Sequence, residues 1–447
     1  MMKQTKITLQ TPKEIVSEMN KYIIGQAEAK KAVAIAFVNR GRRMMIDDEE
    51  LRAEICPKNV MLSGPTGVGK TEIARRVADI TDSPFIKVEM TKFTEVGYAG
   101  KDVESIIRDL VDLTIKRERD KIAKEQDMAS KKFAIKYVAK AMVDFGVENV
   151  DEKKLANGEY DNLEIQIELS DELSKKRSDN DSLLDFSGGF VGGASIISIV
   201  PLFELGTGKR DKQKKILKTM KVREALELIS DNYVMNTIDK QLVIADVLKK
   251  IEQKGVVFLD EIDKLISNKD SQSKGEVSRE GVQRDLLPIV EGTMIQTKYG
   301  SIRTDHILFV AAGAFHDNKV SDLMPELQGR FPVQVKLKLL TVEEFEHILT
   351  DIKNHLLEQQ KAILKVDGID VVFEPDGIKA IAELSYQMNN ELENIGARRL
   401  YSVMEKVMEE ASYSAKSGSE FIINKKYVEK ATQEDDDKKV NVRKYLI

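Results

Sequence analysis

The sequence is poor in the residues that build disulfide-bonded and metal-bound scaffolds. Its 447 residues include one cysteine, four histidines and no tryptophan. A lone thiol, Cys56, cannot form an intramolecular disulfide or a cysteine-rich zinc site, and four histidines make a His/Cys metal centre a poor candidate. We therefore expect Cys56 to be a small buried apolar residue.

Long apolar runs and a basic surplus are also missing. The longest apolar stretch, Ile307 to Phe315, is far short of the ~20 residues that a membrane-spanning helix needs. The first residues contain no apolar segment of signal-peptide length. The 70 basic residues are outnumbered by 75 acidic ones, so the net charge of −5 provides no general attraction for nucleic acid. These features predict a cytoplasmic protein that binds neither membranes nor nucleic acid.

Short apolar runs alternate with amphipathic helical patterns along much of the chain. The length predicts roughly three domains at ~150 residues each. Four runs are typical of buried or half-buried strands, and helical patterns follow the first two of them. Strands that alternate with helices predict an α/β fold with a parallel sheet. The four predicted strands are residues 59–63, 85–90, 255–260 and 308–312. A further short strand is predicted at residues 421–423.

Residues 64–71, GPTGVGKT, match the phosphate-loop pattern G-x-x-x-x-G-K-[ST]. The glycines of such a loop allow its backbone N–H groups to face phosphates, and the following helix points its positive end at them. Lys70 would reach the outer phosphates, and the Thr71 hydroxyl would bind Mg²⁺. The pattern predicts an ATP site with Mg²⁺ as the cofactor ion.

The run GVVFLDE at residues 255–261 supplies the acidic partner of this loop. A buried strand that ends in an acid places a carboxylate at the carboxyl edge of the sheet, beside the phosphate loop. Asp260 would hold Mg²⁺, partly through water, and Glu261 would orient or deprotonate the attacking water. A protein that only binds nucleotide needs no such base, so Glu261 favours an ATPase.

About 190 residues separate Lys70 from Asp260, whereas a strand–loop–helix unit needs only a few tens. The intervening segment alternates charged stretches with glycine-rich ones and is interpreted as a mostly helical inserted domain. The predicted division is residues 1–115 and 247–335 for the nucleotide-binding domain, 116–246 for the insertion and 336–447 for a small helical C-terminal domain.

These motifs, together with VSREGVQRDLLP at residues 277–288, resemble the HslU (ClpY) subfamily of AAA+ ATPases. The resemblance covers the N-terminal quarter and the chain after about residue 246. It implies an AAA+ P-loop domain with a parallel sheet, a helical insertion and a small helical C-terminal domain. It also implies a homohexameric ring that hydrolyses ATP, unfolds proteins and threads them into the HslV peptidase.

The resemblance assigns roles to residues that match the family's motifs. Ile23 and Ile24 would pack around adenine, and Arg330 would be an arginine finger, with Glu326 at the same subunit edge. Arg398 would contact the phosphates as the second sensor, with Arg399 as the alternative. No residue is assigned as the first sensor. The residues assigned to the nucleotide are Ile23, Ile24, Gly64, Gly67, Val68, Gly69, Lys70, Thr71, Glu72, Asp260, Glu326 and Arg398, and those assigned to catalysis are Lys70, Glu261 and Arg330.

Two further segments are assigned to substrate and partner. Gly97, Tyr98 and Gly100 match the pore loop, although Ala99 stands where the family often has valine. The polar segment 268–275 would be a second pore loop. At the end of the chain, Tyr445, Leu446 and Ile447 would dock between HslV subunits, since interface cores favour apolar residues.

Three alternatives differ from this interpretation in their sequence requirements. A ClpX-type unfoldase normally begins with a four-cysteine zinc domain, which one cysteine excludes. A nucleic-acid motor with the same ATP site should have a basic face and an ATPase stimulated by DNA. A nucleotide-regulated scaffold would need neither Glu261 nor Arg330. The chain shows no nucleophile elbow and no H-E-x-x-H pattern, so no peptidase activity of its own is expected.

Overall fold

The computed structural model describes residues 10–93, 101–147, 150–170, 215–238, 241–266, 279–316, 318–414 and 417–432. The chain divides into two compact units, residues 1–115 with 245–447 and residues 116–244. The larger unit contains the central sheet and most of the helices. The assignment of separate inserted and C-terminal domains stays a prediction.

The helices and strands of the described residues alternate over much of the chain. The helices are α1 (Pro12–Asn20), α2 (Ala27–Arg43), α3 (Glu49–Glu54), α4 (Lys70–Ile80), α5 (Ser105–Asp144), α6 (Glu152–Ala156), α7 (Val222–Ile238), α8 (Gln241–Lys254), α9 (Arg279–Glu291), α10 (Pro325–Gly329), α11 (Val342–Thr350), α12 (Leu356–Val366), α13 (Pro375–Glu391) and α14 (Arg398–Ser414). The strands are β1 (Val60–Ser63), β2 (Phe85–Glu89), β3 (Glu164–Ser170), β4 (Lys215–Lys221), β5 (Val256–Asp260), β6 (Met294–Thr297), β7 (Gly300–Arg303), β8 (Leu308–Gly313), β9 (Val333–Lys336), β10 (Asp370–Phe373) and β11 (Glu420–Ile423).

A parallel five-stranded sheet with the order β2-β5-β8-β1-β9 forms the centre of the larger unit. The inner strands β5, β8 and β1 are buried along nearly their whole length, because helices cover both faces of a parallel sheet. The mixed α/β fold with a parallel sheet is thereby confirmed, and each of the four predicted strands is present. The sheet brings the carboxyl ends of β1, β5 and β8 to one edge.

Two hydrophobic clusters cover opposite faces of the sheet. One contains the first turns of α5, whose Ile106, Ile107, Leu110 and Val111 are fully buried. The other contains residues of α1, α2 and α4. A third cluster joins α11 to α14 with the parallel pair β10–β11. Within the described residues no helix is long and apolar enough to cross a bilayer.

Several short strands are not predicted by the sequence. β9 lies at the edge of the sheet beside β1, at the predicted boundary between the nucleotide-binding and C-terminal domains. β10 pairs with the predicted β11, and β6 forms an antiparallel hairpin with β7. All of these have four residues, and each has at least two exposed positions. A pattern this short carries no usable period.

The smaller unit combines helices with a two-stranded antiparallel sheet, β3 with β4. Its core contains Val138, Met142, Ile165, Ile167 and Val222, all essentially inaccessible to solvent. The sequence predicted a mostly helical insertion, so this sheet is an addition to the prediction. The glycine-rich stretch 187–193 lies outside the described residues.

The expectation that Cys56 is buried is wrong, because the structure exposes its thiol. Cys56 lies in the segment that leads from α3 to β1, just before the chain enters the sheet at Asn59. Residues 49–54 of α3 are themselves exposed or half-buried, so no core reaches this segment. Composition alone cannot distinguish a connecting cysteine from a core one.

Arg40 joins α2 to the start of β5. Its guanidinium donates to the carbonyl oxygens of Gly255 at 2.5 Å and Lys254 at 2.6 Å. Burial lowers the pKa of Arg40 to about 9. The two carbonyls lie in the turn before β5, where the helical bonds of α8 end. Arg40 therefore supplies a hydrogen bond to the Lys254 carbonyl at the end of α8, and a further one to the Gly255 carbonyl, which also accepts the Leu308 N–H.

Changing Arg40 to leucine should lower the free energy of unfolding by about 2 kcal/mol, because the Lys254 carbonyl loses the Arg40 donor and the Gly255 carbonyl keeps the Leu308 N–H. The matched control is Arg42→Leu on the same helix, whose side chain is exposed and bonded only to Asn39. That change should alter stability by less than about 0.5 kcal/mol. Urea unfolding followed by far-ultraviolet circular dichroism measures both, and equal effects would contradict the role of Arg40.

Candidate nucleotide-binding site

The phosphate loop connects β1 to α4 at the carboxyl edge of the sheet. Gly67 and Gly69 have φ of +74° and +97°, a conformation that side chains disfavour. Gly69 is the N-cap of α4, which begins at Lys70 as predicted. Gly64 ties the loop to β8 through a hydrogen bond from its N–H to the Gly313 carbonyl at 3.2 Å. The backbone is thus shaped to present N–H groups at a helix N-terminus, the usual anion-binding arrangement.

The Lys70 side chain is buried within the loop. Its ammonium donates to the carbonyl oxygens of Gly64 at 2.6 Å and Pro65 at 2.7 Å. Burial lowers the pKa of Lys70, and the nearby Arg398 charge acts in the same direction. The carboxylates of Asp260 and Asp263 act against this shift. Lys70 therefore lies in a field of two acids and one further cation.

The Mg²⁺ ligands predicted from the sequence lie together. The Thr71 hydroxyl is 3.4 Å from Asp260 Oδ2, although the two residues are 189 positions apart. A hydroxyl and a carboxylate are hard oxygen donors of the kind that Mg²⁺ prefers, so these residues fit a magnesium–nucleotide complex. Among the residues that the structure describes, no cluster of three or more His, Cys, Asp or Glu side chains forms another metal site.

Glu261 follows Asp260 directly and has a strained backbone. Its φ is +56°, which is uncommon for a residue with a side chain and recurs at functional sites. Its N–H donates to Asp260 Oδ1 at 3.1 Å, and its side chain is exposed. Glu261 is therefore solvent-accessible at the carboxyl end of β5, next to the predicted Mg²⁺ ligand.

A cavity of about 460 Å³ lies beside the loop and includes the residues predicted to contact adenine. Its lining is mixed, with apolar side chains such as Ile23 and Ile24 beside charged ones such as Glu72. Tyr22 packs beneath the Arg76 guanidinium, 3.9 Å from the ring centre. The cavity is concave and combines apolar and polar groups, as expected of a nucleotide pocket. It is lined by Tyr22, Ile23, Ile24, Gly67, Val68, Gly69, Glu72, Arg75, Arg76, Leu340, Ile348, Ile352, Lys353, Asn354, Leu356, Gln359, Ala397, Leu400 and Tyr401.

Glu72 lines the same cavity but is engaged by two arginines. Its carboxylate accepts hydrogen bonds from Arg75 at 2.7 Å and Arg76 at 2.6 Å. Burial raises the pKa of Glu72, and the bonds and charges of these arginines outweigh burial, so the net shift is downward. Through Arg76, Glu72 also holds the cation that covers Tyr22. Its position supports a place in the lining of the nucleotide pocket.

The segment before α14 rests directly on the phosphate loop. The Ala397 N–H donates to the Gly67 carbonyl at 3.0 Å. Gly396 has φ of +58°, and a Cβ there would lie 2.7 Å from backbone atoms of Thr66 and Gly67. A Cβ on Gly67 would in turn lie 1.9 Å from the Ile395 carbonyl oxygen. Two glycines are thus required for the C-terminal helices to reach the loop.

The two arginines at the start of α14 differ in their partners. The Arg399 guanidinium donates to the Glu393 carbonyl at 2.8 Å and to Asn389 Oδ1 at 3.4 Å, so it braces the turn before the helix. Arg398 is close enough to Lys70 to affect its pKa. This difference favours Arg398 over Arg399 as the residue available to phosphate.

Arg330 and Glu326 do not lie at the carboxyl edge of the sheet, where the phosphate loop is. Arg330 precedes β9, whose first residue pairs with Val60 at the start of β1, while the phosphate loop follows the end of β1. The Arg330 carbonyl accepts from the Asn59 side chain at 3.0 Å, also before β1. Both side chains are exposed, and Arg330 pairs with Glu291 at 2.6 Å.

The predicted pore loops and the predicted docking tail lie outside the described residues. These segments contain Gly97, Tyr98 and Gly100, residues 268–275, and Tyr445, Leu446 and Ile447. Their assignments stay predictions.

Two charged residues of the site are not predicted by the sequence. Lys87 on β2 forms an ion pair with Asp260 at 2.8 Å. The buried Asp263 accepts the N–H groups of Ala314 and Phe315 at 3.2 and 3.4 Å, which fixes the loop after β8. Lys87 occupies a polar position of an alternating strand, which normally indicates solvent. Asp263 follows Asp260 by three residues, and this spacing after a buried strand is the only available signal.

Comparison with known families agrees with this geometry. Residues 60–139 match the ATPase family associated with various cellular activities (AAA), a segment that includes β1, the phosphate loop and β2. Residues 195–334 match the AAA domain (Cdc48 subfamily), a segment that includes β5, Glu261 and Arg330. The parallel sheet and the phosphate loop are consistent with a P-loop domain of the AAA+ class, and the two matched segments are AAA ATPase domains. These matches support ATP hydrolysis by the chain.

Changing Gly396 to alanine should weaken ADP binding about tenfold or more, because the new Cβ must displace the phosphate-loop backbone. Gly418→Ala is the matched control, since Gly418 also has a positive φ, +87°, but nothing lies within 4 Å of an added Cβ. The two variants share the backbone strain and differ in the steric contact. A fluorescent ADP analogue measures both affinities, and equal values would show that the contact has no influence on the nucleotide.

Proposed function

We propose that this chain is the ATPase subunit of a two-component protease, a homohexameric ring that unfolds proteins and threads them into an HslV-type peptidase. The AAA+ domain and its site support the ATP-driven part of this proposal. The ring is supported by the position of Arg330, and the peptidase partner by the resemblance to the HslU subfamily.

The site residues divide the work of hydrolysis. Lys70 and the N–H groups of the phosphate loop hold the phosphates, and the cavity beside Ile23 and Ile24 holds the base. Thr71 and Asp260 would hold Mg²⁺, which neutralises the charge of the phosphates when it is bound. Glu261, exposed beside Asp260, accepts a proton from the attacking water or orients it.

The proposal of a ring rests on one observation, the separation of Arg330 from the nucleotide site of its own chain. The strands β1 and β9 run parallel, with Val60 beside Val333 and Ser63 beside Lys336. Three strand steps of ~3.3 Å separate these ends, and Arg330 lies further back still. An arginine at this end of the sheet is far from the phosphate loop of its own chain, so as an arginine finger it would act on the site of a neighbour. Its exposure suits that role.

A finger supplied by a neighbour makes hydrolysis depend on assembly. Arg398 lies on α14, whose leading segment rests on the phosphate loop, so a change in the phosphates can move the C-terminal helices. In a ring, that movement would be transmitted to Tyr98, which would contact the substrate polypeptide in the pore. Tyr445, Leu446 and Ile447 would anchor the ring to the peptidase.

Subunit mixing tests the action of Arg330 in a neighbouring site. Arg330→Ala and Lys70→Ala should each lower ATPase turnover at least about a hundredfold, since an arginine finger is worth ~10³–10⁵ in GTPases. A mixture of the two should recover part of the activity, because an Arg330→Ala subunit keeps its Lys70 and receives an arginine from a Lys70→Ala neighbour.

Arg303→Ala is the matched control for this experiment, because Arg303 is also exposed and paired with one carboxylate, Asp305, at 3.0 Å. Its turnover should equal that of the unmodified chain. If the ATPase turnover of the mixture equals the sum of the turnovers of the two variants alone, Arg330 does not act on a neighbouring subunit.

Removal of Tyr445, Leu446 and Ile447 tests the partner. Casein degradation by the chain with HslV from the same source should require ATP and both proteins. The truncated chain should lose degradation and keep its ATPase, because only docking is removed. Replacing Lys438 and Lys439 by alanine, in the same tail, should preserve degradation. If the intact pair hydrolyses ATP without degrading casein, the partner assignment is wrong, and stimulation of the ATPase by DNA would then favour a nucleic-acid motor.

A further inference from the structure

A lysine ammonium lies against the carboxylate that is expected to hold the metal. β2 and β5 are parallel neighbours, and their register places Lys87 beside Phe258 and Glu89 beside Asp260. The Lys87 ammonium reaches Asp260 Oδ2 at 2.8 Å. The Asp260 side chain is only 17% exposed, so this pair is less screened by solvent than a surface ion pair.

The oxygen that Lys87 contacts is the one nearest to Thr71. Asp260 Oδ2 is 3.4 Å from the Thr71 hydroxyl, whereas Oδ1 accepts the Glu261 N–H at 3.1 Å. A cation shared by Thr71 and Asp260 would therefore lie on the Oδ2 side. Lys87 and that cation would approach the same oxygen, and two positive charges at such a distance repel each other.

We propose that Lys87 is a positioning residue that neutralises Asp260 in the nucleotide-free protein and competes there with Mg²⁺. Mg²⁺ then binds together with the nucleotide, whose phosphates supply the negative charge that offsets a second cation. Free Mg²⁺ alone does not displace the lysine. This inference rests on the nucleotide site of the proposed function, and on neither the ring nor the peptidase.

The test measures Mg²⁺ affinity directly rather than turnover. A fluorescent ADP analogue is bound first in EDTA, and Mg²⁺ is then titrated into the complex. Lys87→Met should lower the half-saturating Mg²⁺ concentration about three- to tenfold, because a competing charge is removed. Lys87→Arg retains the charge and should titrate close to the unmodified chain.

Two controls separate competition from a general effect on folding or charge. Lys92→Met removes the same charge nearby, but Lys92 pairs with Glu89 at 2.6 Å, and the Mg²⁺ titration should not change. In an Asp260→Asn background, Lys87→Met should have no effect, because the oxygen for which it competes has lost its charge.

If Lys87→Met leaves the half-saturating Mg²⁺ concentration unchanged or raises it, while ADP binding in EDTA is intact, the proposed role of Lys87 is wrong. The nucleotide site is not affected by that outcome. An effect that persists in the Asp260→Asn background overturns the role of Lys87 as well. Failure of the unmodified chain to bind ADP would overturn both the nucleotide site and this inference.

Discussion

The close approach of the segment before α14 to the phosphate loop constrains the rest of the site. The bond from Ala397 to Gly67 can form only because Gly67 and Gly396 have no side chains at the contact. Both backbones adopt positive φ, which a glycine accepts without the strain that other residues incur. The cavity lining and the position of Arg398 both depend on this contact. A change in the loop therefore reaches the C-terminal helices without an intervening side chain.

Charge balance is the second constraint on the site. Lys70 is buried on loop carbonyls, and Asp260 is neutralised by Lys87. The Asp263 carboxylate accepts hydrogen bonds from two backbone N–H groups of the loop after β8. A buried charge without a partner is costly, and each of these groups has one within the chain. The partners of Lys70 and Asp260 are the ones that a magnesium nucleotide would replace.

The sequence predicts most of what forms the sheet and the phosphate-binding edge. β1, β5 and β8 are recognisable because both of their faces are buried, which produces continuous apolar runs bounded by glycines or acids. β9 and β10 have four residues each, two of them exposed, and lack that signal. Asp260 and Thr71 could be placed together because parallel strands bring their carboxyl ends to one edge. Lys87 and Cys56 could not be placed, since a polar strand position and a connecting cysteine each fit several environments.

The proposed role of Arg330 depends on a second copy of the chain. Its guanidinium pairs with Glu291 at the end of α9, and its carbonyl accepts a hydrogen bond from the Asn59 side chain at an exposed edge. Asn59 also accepts the Phe309 N–H at the start of β8, which ties this edge to the centre of the sheet. Exposed ion pairs contribute little to stability, so little free energy is lost if the Arg330 guanidinium leaves Glu291 for a phosphate. Since the phosphate loop of the same chain follows the other end of β1, the proposed arginine finger would act on the site of a neighbour.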